Sequence, residues 1–116
     1  MHHDALHGVV YTGSVVIIEC LLDGGAVASE LGSNGSCALS RAATKDNIDV
    51  MKLLLQRGAP VDQRDVWGEG VTPLGYATIC GCIQAMQLLL DNGADINTRD
   101  CTGKSPFLVA VKKQWK

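Results

Sequence analysis

The stretch that decides the fold runs from Thr72 to Asn97, TPLGYATICGCIQAMQLLLDNGADIN. It contains two short amphipathic runs, Pro73 to Cys80 and Ile83 to Asp91, with Gly81 between them and Gly93 at the far end. Thr72 before Pro73 is a helix start signal. The hydroxyl caps orphan amides, and proline fixes φ at the first helical position, where no amide partner is needed. Gly93 lies just past the last apolar residue, where helices commonly end in a left-handed conformation that glycine adopts without steric cost. The stretch therefore predicts a helix, a tight turn and a second helix.

The chain repeats this unit. Leu53-Leu54-Leu55-Gln56-Arg57-Gly58-Ala59 aligns with Leu88-Leu89-Leu90-Asp91-Asn92-Gly93-Ala94 at an offset of 35 (88 minus 53), which also places Leu39 on Leu74 and Ala42 on Ala77. Cys20-Leu21-Leu22-Asp23-Gly24-Gly25-Ala26 falls on the Leu53 segment at an offset of 33 (53 minus 20), and Leu6 falls on Leu39. Thr72-Pro73-Leu74 matches Ser105-Pro106-Phe107, again at 33 (105 minus 72). Three units and a half fill the sequence: about 1–31, 32–64, 65–99 and a partial 100–116.

A period near 33 residues, a helix–turn–helix pattern and a T-P-L-H-x-A signature are the marks of ankyrin repeats. The chain resembles that family over almost its whole length. The residues that carry the resemblance are Thr72-Pro73-Leu74, Ala77, Gly81, the leucine blocks, Gly58-Ala59, Gly93-Ala94-Asp95-Ile96-Asn97 and Asp100-Cys101-Thr102-Gly103. The resemblance implies an all-α solenoid of stacked helix–turn–helix units with short β-hairpin or turn fingers, forming a single domain over 1–116.

Composition agrees with thin, closely stacked helix pairs. Hydrophobic residues make up 47% of the 116, yet aromatics only 4%, so the interior must be built from Ala, Val, Leu and Ile. A net charge of −2 gives no general attraction to phosphate backbones or anionic membranes, so neither nucleic acid nor membrane is expected as a partner. The longest apolar run, Val15 to Leu22, is broken by Glu19 and is too short to span a bilayer. No secretory signal pattern opens the chain, and five scattered cysteines do not read as a disulfide framework. An intracellular location, cytoplasmic or nuclear, is the expectation. Asn34-Gly35-Ser36 reads as turn chemistry rather than as a glycosylation site.

Individual units depart from the pattern in ways that matter locally. In unit one, Leu6-His7 matches the Leu-His of the signature, and the resemblance gives that histidine a role in steadying loops. Asp46 stands where the inter-helix glycine is usual, so strain is expected there. Cys37 replaces a capping threonine, which should weaken the cap by up to about 1 kcal/mol. Cys20 falls on the first leucine of its block and is expected to be buried. In unit three, the family pattern allows five residues from aspartate to threonine, whereas Asp65 to Thr72 spans seven. The additional residues lie within Trp67-Gly68-Glu69-Gly70-Val71, which predicts a lengthened or bulged finger carrying an exposed tryptophan. Unit four has a first helix from Ser105 to about Lys113 and no second one, so Phe107, Val109, Val111 and Trp115 border an apolar face.

Catalysis is not expected. His2, His3 and His7 all lie at the N-terminus, and there is no Gly-rich phosphate loop, H-E-x-x-H or G-x-S-x-G. Cys80-Gly81-Cys82 is the one cluster with metal or redox meaning. A structural zinc site needs four ligands, no other cysteine has matching spacing, and C-x-C is a weak redox motif. No cofactor is expected, and a metal or redox module at Cys80 and Cys82 is the weakest of three readings. The leading one, implied by the resemblance, is a non-catalytic module that binds another protein on a concave face made by fingers and first helices. Carried over position by position, that face comprises Tyr11 and Thr12; Ser33, Asn34, Ser36, Thr44 and Lys45; Val66, Trp67, Glu69, Ile79 and Cys80; and Cys101, Thr102, Lys104, Lys112 and Lys113. Its middle is apolar and its C-terminal side basic. The remaining reading is a self-assembling unit, a homo-oligomer joined through its incomplete end repeats.

Overall fold

The computed structural model describes residues 14–29, 37–64 and 70–97. Among these, every regular element is a helix: α1 (Val15–Asp23), α2 (Ala38–Thr44), α3 (Ile48–Gln56), α4 (Pro73–Cys80) and α5 (Ile83–Asp91). The expected helices at Pro73–Cys80 and Ile83–Asp91 form with the anticipated bounds. Helix α2 ends at Thr44, with Lys45 as its C-cap.

Each start is set by a local side chain. Ser14 accepts from the Ile17 amide at 3.5 Å, Asn47 from Val50 at 3.3 Å, and Thr72 from Gly75 at 3.2 Å. Cys37 caps α2 despite lacking a hydroxyl. Its sulfur accepts from the Ser40 amide at 3.4 Å and donates to Ser40 Oγ at 2.9 Å, and the residue is wholly buried. The inter-helix turns need a left-handed residue. Gly81 supplies it at φ 73°, and Asp46, at the same repeat position, is held at φ 55°. The strain expected at Asp46 is thus present, since a Cβ in this region crowds the neighbouring carbonyl.

The helices stack in two rows. First helices α2 and α4 pack on each other most extensively, each pairs with its own second helix (α3 or α5), and the second helices follow one another as α1, α3, α5. Leu39, Ala42, Leu54, Leu74, Ala77 and Leu89 lie at equivalent places in successive units, and all are essentially buried. Small alanines on the first helices let the rows approach closely. Burial of a leucine such as Leu54, with no exposed surface, stabilises by about 1.5–3 kcal/mol.

Hydrogen bonds tie the units together beyond apolar packing. Gln63 Nε2 donates to the Ser29 carbonyl at 2.6 Å, reaching back to unit one. The Asp62 carboxylate accepts from the Asp95 amide at 3.1 and 3.3 Å, reaching forward to unit three. On the outer side, Arg57 meets Asp23 at 2.8 Å and Glu19 at 3.7 Å.

Cys20 departs from expectation and is exposed. Its equivalents Leu53 and Leu88 are buried and half-buried, on the flank that faces the preceding unit's second helix. Helix α1 has no such helix before it among the described residues, so Ile18 and Leu22, which face α3, are the ones buried.

Candidate binding face

Four residues of the expected contact face lie within the described structure: Thr44, Lys45, Ile79 and Cys80. Thr44 and Lys45 stand at the C-terminal end of α2, and Ile79 and Cys80 take the same places on α4 (79 minus 44 is 35). Lys45 and Cys80 are exposed, while Thr44 and Ile79 are half-buried. The Thr44 hydroxyl donates to the Arg41 carbonyl at 2.7 Å. Tyr11, Asn34, Ser36, Val66, Trp67, Glu69, Thr102, Lys104, Lys112 and Lys113 lie outside the described residues, as do His7 and the helix expected after Ser105.

The descent from the lengthened finger into α4 is described from Gly70 onward. Arg64 Nη1 donates to the Gly70 carbonyl at 2.9 Å, so the residues on either side of 65–69 are bonded to each other. Gly70 takes a left-handed φ of 67°. Val71 then lies against Gly75, where a Cβ would stand only 2.6 Å from Val71 Cγ1. The equivalent residues in the other units are His7, Ser40 and Leu108. Gly75 therefore has no side chain where the other units have one, and Val71 fills the space. This pairing was not foreseen from the sequence. The signals that could have found it are the adjacent insertion and the glycine in the T-P-L-H-x-A signature.

The cysteine pair has a structural explanation. Cys82 occupies the N-cap place that Ser14 and Asn47 hold in the other units, yet makes no side-chain capping bond. Its sulfur instead lies 4.0 Å from the Thr44 carbonyl, a weak contact across to the preceding unit. Burial, and then the Asp46 carboxylate and the Cys80 thiol beside it, hold the Cys82 thiol above its ordinary value near 9. At neutral pH it stays protonated and is not an activated nucleophile. Among the described residues no group of three or more His, Cys, Asp or Glu side chains is placed to hold a metal ion. Cys20, Cys37, Cys80 and Cys82 are all free thiols.

No helix among the described residues is long and apolar enough to cross a membrane. On the outer side, α3 and α5 leave a shallow groove of about 180 Å³ lined by Lys52, Leu55, Gln56, Leu88 and Asn92.

Comparison with known families agrees with this architecture. A family model described as ankyrin repeats, three copies, matches residues 1–65. A second, described as ankyrin repeats, many copies, matches residues 54–110. A search of curated proteins finds no match to the chain.

Proposed function

The chain belongs to the ankyrin-repeat family, and from that premise we propose that it is a non-catalytic module whose concave face, built from fingers and first helices, binds another protein inside the cell. Ankyrin repeats are generally protein-binding and typically non-enzymatic. The observation that carries the reading to a particular face is a contrast between equivalent positions. Three buried places are filled alike in units two and three, leucine on leucine at 39 and 74 and at 54 and 89, alanine on alanine at 42 and 77, while other buried pairs such as Ser40 and Gly75 differ. At the C-terminal ends of the same first helices the residues differ, with Thr44 and Lys45 answered by Ile79 and Cys80. Packing dictates the first set, and the second is left to a partner.

The partner suited to this face brings an apolar anchor to Ile79 and Trp67, with acidic groups near Lys104, Lys112 and Lys113. Tryptophan offers large apolar area at small entropic cost, which makes Trp67 the expected anchor point. The 116 residues act as one domain of three and a half units in this reading. The test is capture of a binding protein from the native host, followed by calorimetry with Trp67→Ala combined with Ile79→Ser. Loss of affinity by about tenfold or more is expected from removing two apolar contacts. Unchanged affinity, with the double variant folded, would sink the assignment of the face.

A further inference from the structure

Successive second helices meet through the same five places. At the junction of α1 with α3 these are Glu19, Leu22, Asp23, Leu53 and Arg57. An offset of 33 carries the first three onto Lys52, Leu55 and Gln56, and an offset of 35 carries the other two onto Leu88 and Asn92. This second set is the lining of the outer groove between α3 and α5. Both walls of the groove belong to described helices, so it is bounded on each side by residues on the page.

The two junctions differ in charge. Between α1 and α3 the Arg57 guanidinium bridges the helices, 2.8 Å from Asp23 and 3.7 Å from Glu19, and its charge is matched. Between α3 and α5 the charged places are filled otherwise: Lys52 stands where Glu19 stands, Gln56 where Asp23 stands and Asn92 where Arg57 stands. Asn92 does not cross the junction, and its Nδ2 donates at 2.8 Å to the Leu88 carbonyl of its own helix. Among the described residues no ion pair reaches Lys52, including one from Asp49 a turn earlier on α3. What is left is a groove of about 180 Å³ in which Leu55 and Leu88 are half-buried and Lys52, Gln56 and Asn92 are exposed.

We propose that this groove is a docking site for an acidic peptide segment of a partner protein. An aliphatic side chain of the segment rests on Leu55 and Leu88, and a neighbouring carboxylate accepts from Lys52 Nζ and Gln56 Nε2. Charge complementarity sets the class of partner. The opposite charge that each junction calls for is supplied by the chain itself at the first, as Glu19 and Asp23, and is missing from the second. A carboxylate beside an ammonium gains a charge-assisted hydrogen bond that the glutamine and asparagine of this groove cannot give to Lys52 with the same strength. The volume lies well below the roughly 300–1,000 Å³ of small-molecule sites, which suits side chains of a peptide rather than a free ligand. The groove is on the outer row of helices and is independent of the concave face.

The probe is a capped peptide that alternates the two chemistries, acetyl-Leu-Glu-Leu-Glu-Leu-amide. Titrated into the full 116-residue chain at low salt and followed by NMR, it should bind saturably at one site with a dissociation constant on the order of 1 mM. Shifts should centre on Lys52, Leu55 and Leu88. The glutamine analogue of the peptide should bind up to about fivefold more weakly, the loss expected for one exposed charge pair, and added salt should narrow that difference. Lys52→Glu puts at residue 52 the acid that α1 carries at residue 19, so the chain should stay folded by circular dichroism. It should bind the glutamate peptide roughly tenfold more weakly and the lysine analogue more tightly than the parent does. Lys52→Glu combined with Asn92→Arg rebuilds the Glu19–Arg57 pair across this junction and should abolish binding of both peptides. The proposal is overturned if no saturable binding occurs, if the shifts centre on Lys45 instead, or if the glutamine analogue or Lys52→Glu binds as well as the parent pair. It is also overturned if the chain alone self-associates in sedimentation and Lys52→Glu abolishes this, for then a second copy is the occupant.

Discussion

Gly75→Ala is the substitution whose outcome depends most directly on one contact. An added Cβ would stand 2.6 Å from Val71 Cγ1 and 3.6 Å from Thr72 Oγ1. Carbon pairs rest at about 3.5–4.0 Å, so the overlap with Val71 is on the order of 1 Å. Overpacking of that kind costs about 1–3 kcal/mol. Against it, alanine is favoured over glycine inside a helix by up to about 1 kcal/mol, and less in the first turn, where residue 75 sits. The net expectation is destabilisation by about 1–2 kcal/mol, or a fall in melting temperature of roughly 4–8 °C for a chain of this size. The background decides the sign. With Val71→Ala the opposing methyl is gone, and Gly75→Ala should then stabilise by about 0.5 kcal/mol. Urea unfolding of the parent, both single variants and the double variant, followed by circular dichroism, gives the coupling directly; about 1.5–2.5 kcal/mol is expected. If Gly75→Ala raised the midpoint in both backgrounds, Val71 would not be filling the place of a side chain, and the account of how the finger joins α4 would be wrong.

Further outcomes follow from two residues, Asp46 and Cys82. Asp46→Gly should stabilise by about 0.5–1 kcal/mol in urea unfolding, because the φ of 55° is strained for aspartate and free for glycine. Cys82→Asn should stabilise by about 0.5–1 kcal/mol by restoring the cap that Asn47 makes in unit two. The parent thiol should alkylate more slowly than Cys80 in peptide mass spectrometry, since burial, Asp46 and Cys80 all favour its neutral form. A folded pKa raised above the unfolded one contributes stability that is intact below the unfolded value and lost as pH climbs through the folded one. The parent should therefore lose an increment above about pH 9 that Cys82→Asn keeps.

The fold could be read from the sequence because its determinants are local and recur. Thr72-Pro73 and Gly81 bracket α4, and the leucine blocks mark the second helices, so the repeat frame follows from sequence spacing alone. Cys20 shows where that reading stops. Residue type and frame are the same kind as at Leu53, but exposure depends on whether another helix lies in front, which the residue itself does not encode. The Val71–Gly75 contact and the Arg57 bridge to Asp23 are also products of packing between segments. Of the contact face, Thr44 and Lys45 at the end of α2 correspond to Ile79 and Cys80 at the end of α4. The fingers, which should carry most of the specificity, lie outside the described residues.

Neighbouring residues Asp62 and Gln63 bond in opposite directions, one forward to Asp95 and the other back to Ser29. The turn that holds them is therefore a mechanical coupling. Tension applied to either end of the stack is passed to unit two through a hydrogen bond as well as through apolar contact. The forward junction holds a charge-assisted bond, and the backward junction holds an amide bond together with the Arg57–Asp23 ion pair. Pulled from its ends, the stack should keep the Asp95 amide protected from solvent exchange until the junction between units two and three gives way.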